Sequence, residues 1–152
     1  MGSRYIYTAT MLLIIFIYSA GCAKRPNVIQ GLKDNSIGKY EFNTKENYQY
    51  VYQTILGKSR ECWQSSASGG VQTVAYGDLY LEFKSAYVTI GVYSPSSNQI
   101  LGSTTHQIYG AFDITSMKDN STKVEAYWNK PGWDKAAYLA ERWVEEKYNG
   151  CE

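Results

Sequence analysis

Histidine, proline and charge of one dominant sign are what this chain of 152 residues has least of. A single histidine, His106, and three cysteines give no spacing from which a tetrahedral zinc site could be assembled. His106 sits in the polar segment STTHQ, and no G-x-S-x-G elbow supplies a nucleophile for it, so an acyl-transfer triad has no basis in the sequence. Phosphate-cradling, dinucleotide-binding and calcium-loop patterns are absent too. Asp78 with Glu82, or Glu145 with Glu146, makes a poor glycosidase couple: the first follows Gly77 at a strand entry, and the second pair is adjacent on a predicted helix and diverges. No catalytic residue, metal or dissociable cofactor is therefore expected. Fifteen Lys and Arg against fourteen Asp and Glu leave a net charge of +1, which gives no electrostatic footprint for nucleic acid. The uninterrupted apolar stretch from Met11 to Tyr18 is well short of the roughly 20 residues that a membrane-spanning helix needs.

What the chain does have is aromatic mass, 15 Tyr, 4 Trp and 4 Phe, enough for one domain with a real core. Tyr48, Val51, Tyr52, Ile55, Ser59 and Cys62 recur at intervals of three and four, which predicts an amphipathic helix over 44–63, with Asn43 and Glu46 at capping-box spacing. After the Ser/Gly-rich SSASGG, residues 65–70, the period changes to two. Leu79, Leu81 and Phe83 form one inward row, then Ala86, Val88, Ile90 and Val92, then Ile108, Gly110, Phe112 and Ile114, then Val124, Ala126 and Trp128. Turns at SPSSN (94–98) and KDNS (118–121) join these runs into a four-stranded antiparallel meander. Beyond Pro131-Gly132, the residues Trp133, Ala136, Ala137, Ala140, Trp143 and Val144 mark a final helix ended by Asn149-Gly150. The expected fold class is α+β, with both helices on one face of the sheet.

The first 21 residues have the proportions of a secretory signal: Arg4, an apolar middle, then Ser19-Ala20-Gly21 and Cys22. Ala20-Gly21-Cys22 resembles the recognition box of bacterial lipoproteins cut by the lipoprotein signal peptidase. That resemblance implies cleavage between Gly21 and Cys22, a diacylglycerol thioether and an N-acyl chain on Cys22, and stable attachment to a membrane. Ala23 after the cysteine, by resemblance to lipoprotein sorting, implies the outer membrane, with the periplasmic face favoured over the cell surface. With Cys22 consumed, Cys62 and Cys151 remain as an even pair in an oxidising compartment. A disulfide is the natural reading, against two free thiols or a bond to another chain. Residues 22–41 read as a lipidated flexible tether and 42–152 as the domain. Within the tether, residues 24–39 carry Lys24, Arg25, Lys33 and Lys39 against the single Asp34, a basic excess that suits either anionic head groups or plain solvation.

The helix YQYVYQTILGKSRECW, the strand-rich middle and the terminal WVEEKYNGC are similar to the pattern of small envelope lipoproteins, and the element order is similar to helix-grip sandwiches. Neither resemblance brings an activity with it. Tyr80, Tyr87, Tyr93, Tyr109 and Tyr127 all fall on the strand phase opposite the expected core. If exposed, they form an aromatic patch for a protein partner in an outer-membrane assembly, or for sugar rings of peptidoglycan or another envelope glycan. The bland alternative is that tyrosine simply suits half-exposed strands. The short SASGG run is similar to loops of periplasmic lysozyme inhibitors, which adds inhibition of a cell-wall lytic enzyme as a further alternative.

Overall fold

In the computed structural model, residues 29–66, 72–95 and 104–152 are described, and they form an α+β fold. The elements are α1 (Gln30–Asp34), β1 (Gly38–Thr44), α2 (Tyr48–Trp63), β2 (Ser65–Ser66), β3 (Gln72–Tyr80), β4 (Ser85–Pro95), β5 (Thr104–Ser116), β6 (Thr122–Trp128) and α3 (Asp134–Glu145). Five long strands and the two-residue β2 make one antiparallel sheet in the order β1-β6-β5-β4-β3-β2. The expected meander is β3 to β6. The first strand was not expected: β1 joins the far edge by pairing with β6, Gly38 opposite Trp128 through Thr44 opposite Thr122.

This strand shortens the predicted tether of residues 22–41, because α1 and most of β1 fall inside it. It also moves the start of α2. Asn43 and Thr44 are committed to β1, so the cap is Asn47, whose side chain accepts from the Gln49 amide at 2.8 Å. Tyr48, Val51, Ile55, Leu56 and Ser59 are buried as the helical period requires, and Tyr52 and Cys62 are half-buried beside them.

Helices α2 and α3 share one face of the sheet. Their core includes Val51, Ile55, Val88, Ile114, Val124, Ala140 and Trp143. Cys62 and Cys151 form a disulfide across 89 residues of sequence. The tail is also held by Trp143 Nε1 donating to the Gly150 carbonyl at 2.9 Å and Lys58 Nζ donating to the Asn149 carbonyl at 3.0 Å.

Two inward rows differ from the expectation. Leu81 lies in the turn between β3 and β4 and is 62% exposed; only Leu79 of that row packs on the core. In β5 the register shifts opposite Ile90 and Gly91, leaving Tyr109 as the extra residue between Ile108 and Gly110. A bulge reverses the alternation beyond it. Phe112 and Ile114 therefore face the helices, whereas Ile108 packs on the opposite side.

Candidate functional site

That opposite side is where the tyrosine patch was expected, and half of it is closed. Tyr87 and Tyr127 do point away from the helices, but they are buried with Ala111 beneath Ile29 and Leu32 of the α1 segment, and Tyr80 and Ile108 pack on this second cluster. Tyr87 Oη donates to Asp78 Oδ2 at 2.5 Å. Burial first, then the bonds to Asp78 and Tyr80, push the Tyr87 phenol well above the ordinary tyrosine range. Tyr109 is not part of the expected patch: as the extra residue of the bulge it turns to the helical side, where its ring lies 5.6 Å from that of Trp133 and under the Lys130 ammonium at 4.2 Å. The side chain of Tyr93 lies outside the described residues, as do Gly21, Cys22 and most of the SASGG run.

The basic excess assigned to the tether is drawn into the same face. Lys33 bridges the buried Asp113 at 2.5 Å, and Lys39 bridges Glu125 at 2.6 Å. Both ammonium groups also lie over the Tyr127 ring, at 5.1 and 5.6 Å. Lys39 and Lys123 separate Glu41 from Glu125, which the β1–β6 register places directly opposite each other. Lys24 and Arg25 alone remain for a tether.

On the other half of this face no described helix lies over the strands. Val74, Tyr76, Gln107 and Ile108 border a shallow dimple of about 130 Å³, and Tyr76 is 49% exposed.

A larger groove, about 610 Å³, lies on the helical side, where the end of α2 meets the start of α3. Trp63, the last residue of α2, and Trp133, just before α3, form its aromatic wall, with ring centroids 5.7 Å apart and planes inclined at 53°. Trp63 is braced from behind by the buried Trp143 at 5.1 Å. Tyr138, Lys135 and Arg142 line the groove from α3, and Cys151 and Glu152 line it from the tail. The guanidinium of Arg142 is oriented by an ion pair to Glu146 at 3.2 Å and by the Tyr148 ring 3.9 Å beneath it. The disulfide is thus both a staple and part of the wall.

Of the groove residues the sequence singles out Cys151 alone, as half of the disulfide. Trp133 reads there as part of the last helix's apolar face and Trp63 only as the end of the earlier helix, yet a signal is present: Cys62 and Cys151 each follow or end a helix, so a bond between them brings Trp63 to α3.

Among the described residues no group of three His, Cys, Asp or Glu could hold a metal ion, and no helix is long and apolar enough to cross a membrane. His106 falls in β5, opposite Tyr93. Asp78 is occupied by Tyr87, and Glu146 by Arg142. The arrangement offers aromatic surfaces and oriented charges, which are means of binding. No family model, curated protein or solved structure matches the chain.

Proposed function

We propose that this chain is a lipid-anchored envelope lipoprotein of the outer membrane, whose periplasm-facing domain acts by binding a protein partner. The Cys62–Cys151 bond carries the reading. A disulfide of this kind persists in an oxidising compartment, and it accounts for two of the three cysteines, leaving Cys22 for the lipid. The partner surface is the shallow dimple around Val74, Tyr76 and Ile108, where Tyr76 is half-exposed. A half-exposed aromatic among apolar neighbours is the kind of feature that anchors a protein contact.

The anchor would also set a distance. Ile29 is seven positions beyond Cys22, and seven extended residues reach at most about 25 Å. A lipid at Cys22 therefore holds the domain close to the bilayer, with α1 nearest the attachment. This proximity raises the local concentration of the domain for a membrane-bound neighbour.

The test is photocrosslinking in intact cells from a benzophenone amino acid at position 76, with palmitate labelling of the same chain. A palmitate-labelled protein that gives a discrete protein adduct, with label and adduct both lost in Cys22→Ala, is the expected result. Absence of label, or an adduct unchanged in Cys22→Ala, overturns the anchor. Label without any protein adduct from position 76 overturns the partner surface.

A further inference from the structure

We propose that the groove between the end of α2 and the start of α3 is a binding site for an acidic saccharide, one that joins pyranose rings to a carboxylate. The site lies on the sheet face opposite α1 and is independent of the anchored reading, because binding to it is measured in solution.

The size and lining come first. At about 610 Å³ the groove falls within the roughly 300–1,000 Å³ typical of small-molecule sites. Trp63 and Trp133 meet at an angle and leave a concave aromatic corner, which Trp143 keeps from collapsing inward. Tyr138, 51% exposed, adds a third ring at the border. A pyranose has one face of C–H groups that lies well on an indole, and aromatic side chains with few rotatable bonds are ordered at small entropic cost.

The polar groups decide which ligand. Among the described residues Lys135 forms no ion pair, and Arg142 is held by Glu146 and Tyr148 in an orientation set before any ligand arrives. Two cations beside an aromatic corner complement a carboxylate carried on a sugar ring. Glu152 also lines the groove and opposes an anion. A polypeptide ligand fits less well: among the described residues the lining comes from two helices, the turn before α3 and the tail, and includes no strand edge to offer a backbone ladder. An acyl chain fits less well too, since its carboxylate would engage the cations while the open, angled rings left most of the chain in water.

The experiment uses the full chain in detergent micelles and follows tryptophan fluorescence and heat. One probe is a tetrasaccharide of alternating N-acetylglucosamine and N-acetylmuramic acid. The other is chitotetraose, of equal length but without carboxylates. The acidic probe should give a saturable fluorescence change and bind about tenfold more tightly than the neutral one. Lys135→Glu should weaken it about tenfold or more, Tyr138→Ala should weaken it several-fold, and Glu152→Gln should tighten it. Lys135 and Glu152 are exposed, so their variants should melt like the parent, whereas Tyr138 packs on the Tyr40 ring at 4.6 Å and its variant is compared at a temperature where a thermal scan shows it folded. No saturable binding at millimolar probe overturns the site. Equal binding of the two probes, or indifference to Lys135→Glu, overturns the acidic specificity, and a protein crosslinked in cells from position 138 assigns the groove to a polypeptide instead.

Discussion

A single hydroxyl proton joins the first strand to the last helix. Tyr40 Oη on β1 donates to Glu141 Oε2 on α3 at 2.5 Å. That bond, with burial behind it, pushes the Tyr40 phenol up to about 12. Because the folded value lies above the ordinary one near 10, the stabilisation is fully present below pH ~10 and is lost as pH rises through about 12. Tyr40→Phe should therefore cost about 1 kcal/mol at neutral pH, and its deficit against the parent should close between pH ~10 and ~12 in chemical denaturation. A deficit that stays constant across that range would mean the hydroxyl is not bonded to the carboxylate. At this scale the sequence told the direction of a side chain better than its surroundings. Tyr87 and Tyr127 do lie on the phase opposite the helices, since alternation along a strand is local. Their burial depends on Ile29 and Leu32, which no periodicity connects to them.

Five residues are too few to form a helix on their own, because nucleation must be repaid by contacts elsewhere. Helix α1 depends on Ile29 and Leu32 in the tyrosine cluster and on the Lys33–Asp113 bridge. Leu32→Ala should thus lower stability by about 2 kcal/mol and, more tellingly, open Tyr87 and Tyr127 to nitration in the native state. Protection equal to the parent's would show that α1 is held by something other than Leu32. The long helices α2 and α3 were legible because each carries several turns of apolar period, and only their ends moved. Strand β1 also alternates, with Tyr40, Phe42 and Thr44 on one side and Lys39, Glu41 and Asn43 on the other. It follows a polar stretch and finds its partner in β6, about eighty to ninety residues away, so nothing near it announces a strand. Gly38 contributes at its start: a Cβ there would lie 2.3 Å from the Trp128 ring, so only glycine lets the indole cross the strand.

The disulfide acts on the whole molecule. It closes a loop containing all of β2 to α3, and chain entropy assigns such a loop about 4–5 kcal/mol of stability. Cys62→Ser and Cys151→Ser should each lower the denaturation midpoint by similar amounts, and the double variant should be no worse than either alone. Additive losses would contradict a shared bond. The pairing was readable from the count of cysteines once Cys22 was set aside, whereas the groove was not. Its wall depends on the inclination of two indoles, which follows from the packing of Trp63 on Trp143 and of Trp133 on Tyr109 rather than from any spacing. The same covalent loop also decides how the molecule yields to tension. Pulled between Ile29 and Glu152, the oxidised chain carries load only along residues 29–62 and the last two, so its load-bearing contour is roughly 120 Å, about a third of the described residues. The sheet from β3 to β6 stays off the load path. A domain tugged by its N-terminus would feel the load first in α1, β1 and α2.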